Sequence, residues 1–269
     1  MQQGTALLEE AGVGVPRLTA EVLLSHALRR ERVYLYSHPH EELTELAWIH
    51  YGRYLHQRMG GTPTQYITRK QEFYGRDFEV SPAVLIPRPE TEHLAAAAIE
   101  LLRPSDLVID VGCGSGAIAV TLACESDSRV LASDLSRDAL CVARRNAERL
   151  GARVSFLNAD LLGGLAHLSL DVIVSNPPYV GLHESAGLQR EVLNHEPHMA
   201  LFAGEDGNAL YERLIDQSAS ILKPGGWLLL ELGWKSLEPV SRMLCEGWTD
   251  IQAIPDLSGI PRVIRARLA

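Results

Sequence analysis

LVIDVGCGSGAIAVTLA, residues 107–123, decides the fold class. Leu107 to Val111 is an apolar run broken only by Asp110, the pattern of a strand buried on both faces. Gly112, Gly114 and Gly116 follow at once, and an apolar helix opens at the last of them. Strand, glycine turn and helix in that order form the first half of a βαβ unit. Outward from it the alternation continues, with apolar strands at 129–133, 153–158, 171–175, 227–232, 251–254 and 262–268. Helices are expected over 90–103, 116–125, 136–149, 207–222 and 236–246, with Gly151 closing the third and Pro224-Gly225-Gly226 breaking the fourth. The pattern predicts an α/β fold built on a mostly parallel, doubly wound sheet.

The glycines let the chain turn tightly and let a ligand reach the backbone with no Cβ in the way, at the N-terminus of a helix. Their spacing is GxGxG, one place short of the dinucleotide pattern GxGxxG, which suits a mononucleoside ligand such as S-adenosylmethionine better than NAD. Asp134 ends the second strand, 18 residues past Gly116, where a carboxylate can accept from both ribose hydroxyls. Asp160, in NADLL after the third strand, is placed to accept from an adenine amine. The blander readings are a plain tight turn, an N-cap ahead of Ser136 and a turn aspartate. It is the conjunction of loop and strand-end acid that favours a ligand.

The strand DVIVS runs into Asn176-Pro177-Pro178-Tyr179. Two successive prolines lack N–H groups, so this is a rigid, acceptor-rich edge at the carboxyl end of a strand, the ligand-binding end of such sheets. An NH2 group on a planar π-system offers two donors. The Asn176 side-chain oxygen and the Pro177 carbonyl can take both, while the Tyr179 ring stacks on the flat face. Accepting both protons aims the nitrogen lone pair at an electrophile. With a methyl sulfonium as that electrophile the protein's task is alignment, which can lower a barrier by ~7–11 kcal/mol at best, and the hard chemistry is the cofactor's. No strong general base is required, and none stands out. The alternative is a turn that merely caps a strand.

Of 269 residues, 46% are hydrophobic, enough for a substantial core, and the formal charge is −9. Residues 1–75 carry 8 acidic and 8 basic side chains, so the whole excess lies later. Neither part has the basic surplus that phosphate binding favours. The start lacks a signal-peptide pattern, and no run approaches the ~18 apolar residues that span a bilayer. A soluble, cytoplasmic protein without membrane contact is expected, its four cysteines reduced. Residues 1–60 read as a bundle of short helices punctuated at Gly14, Pro16 and His38-Pro39-His40, and residues 60–89 as a hairpin turning near Tyr74-Gly75-Arg76-Asp77. His195-Glu196-Pro197-His198 reads as a surface loop rather than a metal pair, so no metal is expected. Cys113 reads as a small residue tolerated in a turn rather than a nucleophile.

Taken together, these residues resemble the bacterial release-factor glutamine methyltransferases. The likeness runs through PTQYI (63–67), Phe73-Tyr74, LIPRPETE (85–92), the loop 110–116, NPPY (176–179), Glu196-Pro197 with Ala200-Leu201, and DLSG (256–259) before Arg262-Val263. LIPRPETE is the most discriminating, since NPPY also occurs in adenine-N6 and guanine-N2 methyltransferases. The resemblance implies a Rossmann-like class I S-adenosylmethionine-dependent methyltransferase with a small all-helical N-terminal domain joined by a β-hairpin. Its domains would be a helical substrate-docking domain at 1–70, a hairpin linker at 71–89 and the catalytic domain at 90–269. It implies that the cofactor, converted to S-adenosylhomocysteine, is bound by Asp110, Gly112, Cys113, Gly114, Ser115, Gly116, Asp134, Asp160, Leu161 and Asn176. Asn176, Pro177 and Tyr179 would carry catalysis, and with Pro178 hold the substrate. Arg88 and Glu90 would either orient groups at the entrance or lock the hairpin. The implied acceptor is the side-chain amide nitrogen of the Gln in the Gly-Gly-Gln loop of class-I peptide chain release factors, bound by a monomer with no direct nucleic-acid contact. The alternatives are a DNA adenine-N6 or ribosomal-RNA guanine-N2 methyltransferase, or a non-catalytic S-adenosylmethionine-binding protein.

Overall fold

In the computed structural model, which describes residues 1–269, the chain divides into two units: Met1–Lys70 with Gln189–His195, and Gln71–Leu188 with Glu196–Ala269. The smaller unit is helical, with α1 (Gln2–Glu10), α2 (Pro16–Leu28), α3 (Arg32–Ser37), α4 (Glu45–Met59) and α5 (Thr64–Thr68). Pro16 takes the first turn of α2, where its missing N–H costs nothing, and the Thr44 hydroxyl caps α4 by accepting from the Ala47 N–H at 3.3 Å. Leu8, Leu23, Leu24, Tyr51, Leu55 and Ile67 meet in its core. Glu21 is buried among these helices, bonded to Arg32 at 2.8 Å and Arg17 at 3.1 Å, and Tyr36 together with these two arginines lowers its pKa against the cost of burial.

The larger unit opens with a hairpin of β1 (Lys70–Phe73) and β2 (Arg76–Glu79), turning at Tyr74-Gly75. Phe73 and Phe78 meet edge to face with ring centres 6.0 Å apart, fully buried against Leu94, Val108 and Val120. Burying each ring is worth ~1.5–3 kcal/mol. Residues 71–89, expected as a linker, therefore place their apolar side chains in the core of the larger unit. The remaining elements are α6 (Glu92–Leu101), β3 (Leu107–Val111), α7 (Ala117–Glu125), β4 (Arg129–Asp134), α8 (Arg137–Leu150), β5 (Val154–Asn158), β6 (Leu170–Ser175), α9 (Arg190–His195), α10 (Ala209–Ile221), β7 (Leu222–Glu231), α11 (Leu237–Met243), β8 (Trp248–Pro255) and β9 (Pro261–Leu268). Of these, α9 belongs to the helical unit.

The seven-stranded sheet has the order β5-β4-β3-β6-β7-β9-β8. The first five strands run parallel, and β9 is antiparallel to both β7 and β8. One departure from expectation lies at Pro224-Gly225-Gly226, placed by sequence between helix and strand. β7 instead begins at Leu222 and runs through all three residues, with a register shift between the Leu170–Leu222 and Val172–Trp227 pairs. Gly225 accommodates the irregularity at φ +78°. Apolar side chains fill both faces of the sheet, with Leu94, Ala98, Leu122 and Leu140 on one and Leu162, Tyr211, Leu214 and Val240 on the other. No helix is long and apolar enough to cross a membrane.

In the helical unit Gly4 packs directly on the Tyr51 ring, whose buried hydroxyl has no hydrogen-bond partner. A Cβ at Gly4 would lie 2.0 Å from that oxygen. Gly4→Ala is expected to lower stability by about 1–3 kcal/mol in urea unfolding, and Tyr51→Phe in the same chain should recover most of the loss. Equal cost in both backgrounds would place the strain elsewhere.

Candidate active site

Strand register brings the site together. Val111 is paired with Ser133 on one side and Ser175 on the other, and Ser175 with Leu230. The next residues along these strands, Gly112, Asp134, Asn176 and Glu231, thus stand in a row at the carboxyl edge of the sheet. The Ser175 hydroxyl donates to the Val111 carbonyl at 2.7 Å, tying the two central strands where they end.

The glycine loop is held from beneath. The Ser133 carbonyl accepts from the N–H groups of Gly112 at 2.8 Å and Cys113 at 2.9 Å, and the Cys113 carbonyl accepts from Gly116 at 2.7 Å. Asn146 of α8, fully buried, donates to the Ser115 and Glu79 carbonyls at 3.0 Å each and accepts from the Glu79 N–H at 2.7 Å, joining loop and hairpin. Gly116 has φ +79°, and a Cβ there would lie 3.1 Å from that of Ala143. At Gly112 and Gly114, also at positive φ, a Cβ would meet nothing within 4 Å. These two therefore face open space, as a ligand-cradling backbone must.

Asp110 is buried beneath the loop. Its Oδ2 accepts from the Ala119 N–H at 3.0 Å, while Oδ1 is buried without a partner. Burial pushes its pKa up to about 7, and the nearby Asp134 charge adds to the rise. Asp134, half-buried, accepts from the Gly114 N–H at 2.9 Å and the Ser136 N–H at 2.8 Å, one on each oxygen. Burial raises its pKa too, against those two bonds. Each of its oxygens keeps a further lone pair for a ribose hydroxyl. Open glycine backbone, a strand-end diacceptor and an orphaned acid oxygen fit a cationic nucleoside such as S-adenosylmethionine. The Leu161 carbonyl is drawn to the same edge by the Ser133 hydroxyl at 3.1 Å, whereas Asp160 points one oxygen at exposed Arg213, 2.7 Å away. Cys113 is buried, its thiol pKa raised well above normal by desolvation and the two aspartates, so it is a packing residue.

Around the NPPY segment the structure adds residues that sequence reasoning left without a role. The Asn176 Nδ2 donates to the Thr91 hydroxyl at 3.1 Å, which leaves Oδ1 free to accept. The Tyr179 ring rests on Gly233, where a Cβ would come within 2.8 Å of it, and its hydroxyl donates to Glu231 Oε1 at 3.5 Å. Glu231 is buried, and its Oε2 lacks a hydrogen bond. Burial raises its pKa to about 7, opposed by the neighbouring Thr91, Arg262 and Tyr179 and reinforced by Glu90. The signal was present in sequence: Glu231 is the single acid within an apolar strand, in the same strand-end position as Asp134.

The expectation of a surface loop at 195–198 fails for one residue. Glu196 is buried, with Oε2 accepting from the Ile86 N–H at 3.1 Å and Oε1 from Arg88 at 2.5 Å. It is Glu196 that anchors the LIPRPETE segment. The hairpin is held by Glu92, which accepts from the Tyr74 N–H at 2.9 Å, as well as by Asn146, while Arg88 is engaged with Glu196.

Comparisons with known proteins agree with this geometry. Residues 1–68 match the PrmC N-terminal domain and residues 92–199 the methyltransferase small domain. A release factor glutamine methyltransferase of Koribacter versatilis is 49% identical, covering 97% of this chain and 94% of that one. Proteins of the same name from Nitratidesulfovibrio vulgaris and Bacillus subtilis are each 40% identical, over 97% and 92% of this chain and 91% and 90% of theirs. In fold alone, a Pyrococcus furiosus methyltransferase matches with TM-score 0.55 at 22% identity, over 72% of this chain and 89% of its own. The Thermus thermophilus 16S rRNA N2 G1207 methyltransferase, solved with AdoMet and guanosine, matches with TM-score 0.54 at 20% identity, over 74% and 50%. A Rossmann-like methyltransferase fold with a helical N-terminal module, the strand-end site and near-full-length identity of 40–49% lead to one conclusion: this chain belongs to the release factor glutamine methyltransferase family.

Proposed function

We propose that this protein transfers a methyl group from S-adenosylmethionine to the side-chain amide nitrogen of the Gln in the Gly-Gly-Gln loop of class-I release factors, acting as a cytoplasmic monomer. The observation that carries the reading is the Asn176 amide, whose NH2 is bound to Thr91 at 3.1 Å, leaving its oxygen to accept. That oxygen and the Pro177 carbonyl accept the two N–H groups of the substrate amide, and Tyr179 and Pro178 shape the slot around its plane. Holding the amide this way turns its nitrogen lone pair toward the reactive methyl. The cofactor, when bound, supplies the activated methyl sulfonium.

Cofactor binding falls to the glycine loop 110–116, Asp134 and the Asp160-Leu161 turn, with Asn176 at the border between the two ligands. The helical unit supplies docking: α4 leaves Leu46, Trp48 and Ile49 more than half exposed, apolar surface of the kind that protein partners cover.

Incubation with cofactor and a release factor is expected to add one CH2 to the Gly-Gly-Gln peptide by mass spectrometry, and a factor with that Gln changed to Ala should gain nothing. Cofactor binding without transfer to the native factor would sink the proposal. Asn176→Ala should lose transfer by about 100-fold or more while keeping most cofactor affinity, and Asp134→Ala should weaken the cofactor first. Calorimetric titration separates them, and parallel loss of both properties in Asn176→Ala would assign that residue to the cofactor alone. For docking, Trp48→Ser should raise KM for the intact factor by about tenfold and leave kcat unchanged; an unaltered KM would remove α4 from the interface.

A further inference from the structure

No large apolar side chains of this chain are more exposed than Leu257, at 99%, and Trp234, at 70%. Trp234 follows β7 and Leu257 lies between β8 and β9. We propose that the two form an apolar rim beside the NPPY slot that holds the acceptor chain of the protein substrate, with the Trp234 indole lying on the two glycines that precede its Gln. Trp234 is then a specificity-determining residue. The inference rests on the reading of the slot as a site for a glutamine amide.

Neither side chain is exposed through looseness of its mount. β9 runs back along β7, with Val263 paired to Glu231 and the Arg262 carbonyl accepting from the Leu232 N–H at 2.7 Å, so the turn after β7 and the turn before β9 leave the same edge of the sheet. In the first turn the Gly233 carbonyl accepts from the Ser236 N–H at 3.1 Å, and the buried Tyr211 hydroxyl accepts from the Gly233 N–H at 3.2 Å. Gly233 is also the surface on which the Tyr179 ring rests. In the second turn Asp256 accepts from the N–H groups of Ser258 at 2.8 Å and Ile260 at 3.0 Å and from Arg262 at 2.9 Å, which leaves Leu257 at the tip. An indole on a rigid mount loses little freedom when a partner covers it, and tryptophans of this kind carry a large share of interface energy.

Position and charge select the occupant. Trp234 is the residue after the one that Tyr179 touches, about 3.8 Å further along the chain, so a Gln side chain that enters the slot brings its own backbone to the indole. Glycines beside that Gln offer bare backbone to a flat ring, where a Cβ would stand between the two. The cations on the segments that border the slot are already engaged: Lys235 with Glu184, Arg262 with Asp256 and Arg88 with Glu196. A nucleic acid stacking a base on Trp234 would need a free cation for its phosphates. A neutral, glycine-rich protein loop needs only the apolar surface that Trp234 and Leu257 present.

The test uses the full chain and an intact release factor. Trp234 is one of four tryptophans, so with 5-fluorotryptophan in the enzyme its 19F signal is assigned by its loss in Trp234→Phe. Unlabelled release factor should shift that signal, and so should a factor with the Gln changed to Ala, which cannot be methylated; a single-stranded oligonucleotide should leave it in place. In turnover, Trp234→Ala should raise KM for the factor by about 10- to 30-fold and Leu257→Ser by about threefold, with cofactor Kd within about twofold of native. The readout that a structural role would not move is coupling to the glycines. A factor whose Gly next to the Gln is changed to Ala should lose about tenfold in kcat/KM with the native enzyme and less than about threefold with Trp234→Ala. A Trp234 signal indifferent to the factor, an oligonucleotide that shifts it, or equal glycine penalties in both enzymes would overturn the proposal. If the signal responds to the factor but no methyl is transferred, the rim stands and the substrate reading falls; methyl transfer with a silent Trp234 signal has the reverse meaning.

Discussion

The constraint on which the rest depends is the parallel register of β3 between β4 and β6. Parallel strands that end level put the residues beyond their ends side by side, about 5 Å apart per strand. Here that places the glycine loop, Asp134 and Asn176 within two strand spacings, with Glu231 one strand further along. A slip of one residue in any pair would turn that strand's apolar side chains from one face to the other. The two apolar clusters on the sheet faces, which anchor α6, α7 and α8 on one side and α10 and α11 on the other, forbid it. Core packing and site geometry are thus one constraint, and the site inherits its precision from the core.

The site departs from that economy in charge. Asp110 and Glu231 are both buried, both have an oxygen without a hydrogen bond, and both titrate at about 7 rather than near the ordinary carboxyl values. Because the folded chain binds these protons more tightly than the unfolded one, the two groups favour folding at acid pH and weaken it as pH rises from about 4 to about 7. An apolar substitute would be more stable at neutral pH. Retaining an acid under the glycine loop and another at the end of β7 costs stability at the sheet edge, as is general for functional sites.

Much of this was legible in the sequence, for physical reasons. Strand β3 coincides with the expected 107–111, because a doubly buried parallel strand must be an unbroken apolar run ended by glycine. Asp134 was legible because it ends such a run at a fixed distance from the glycine loop, and Asn176 because no other residues make an acceptor-rich edge like Asn-Pro-Pro. What failed was anything whose meaning depends on a partner distant in the chain. Glu196, flanked by His and Pro, looks like any loop acid until Ile86 and Arg88, more than a hundred positions earlier, are brought against it. Asn146 lies in an otherwise ordinary amphipathic helix, and only the fold sets it between Glu79 and Ser115. Propensity misled at Pro224-Gly225-Gly226, which the strand crosses as an irregularity between the Leu170–Leu222 pair and the regular ladder with β6 and β9 that begins at Trp227.

The chemistry at Asn176 is also less specific than the family to which the chain belongs. In the proposed reading the Asn176 oxygen and the Pro177 carbonyl take two N–H donors on a planar carbon, and an amide, an adenine and a guanine all present them. Such a pair of acceptors is blind to what lies beyond the NH2 group. Discrimination of glutamine from a nucleobase must then come from parts that never touch the reacting nitrogen. The larger unit shares its fold with a ribosomal-RNA guanine methyltransferase, whereas residues 1–68 match a domain named for this family. Residues 1–75, which include the helices α1 to α5, also carry no net charge, since the entire −9 lies after residue 75. A neutral module with exposed Leu46, Trp48 and Ile49 is poorly suited to phosphate and well suited to an apolar protein surface. On the proposed reading, transfer to one atom is governed by a few hydrogen bonds at the strand ends, and the choice of molecule by a separate domain.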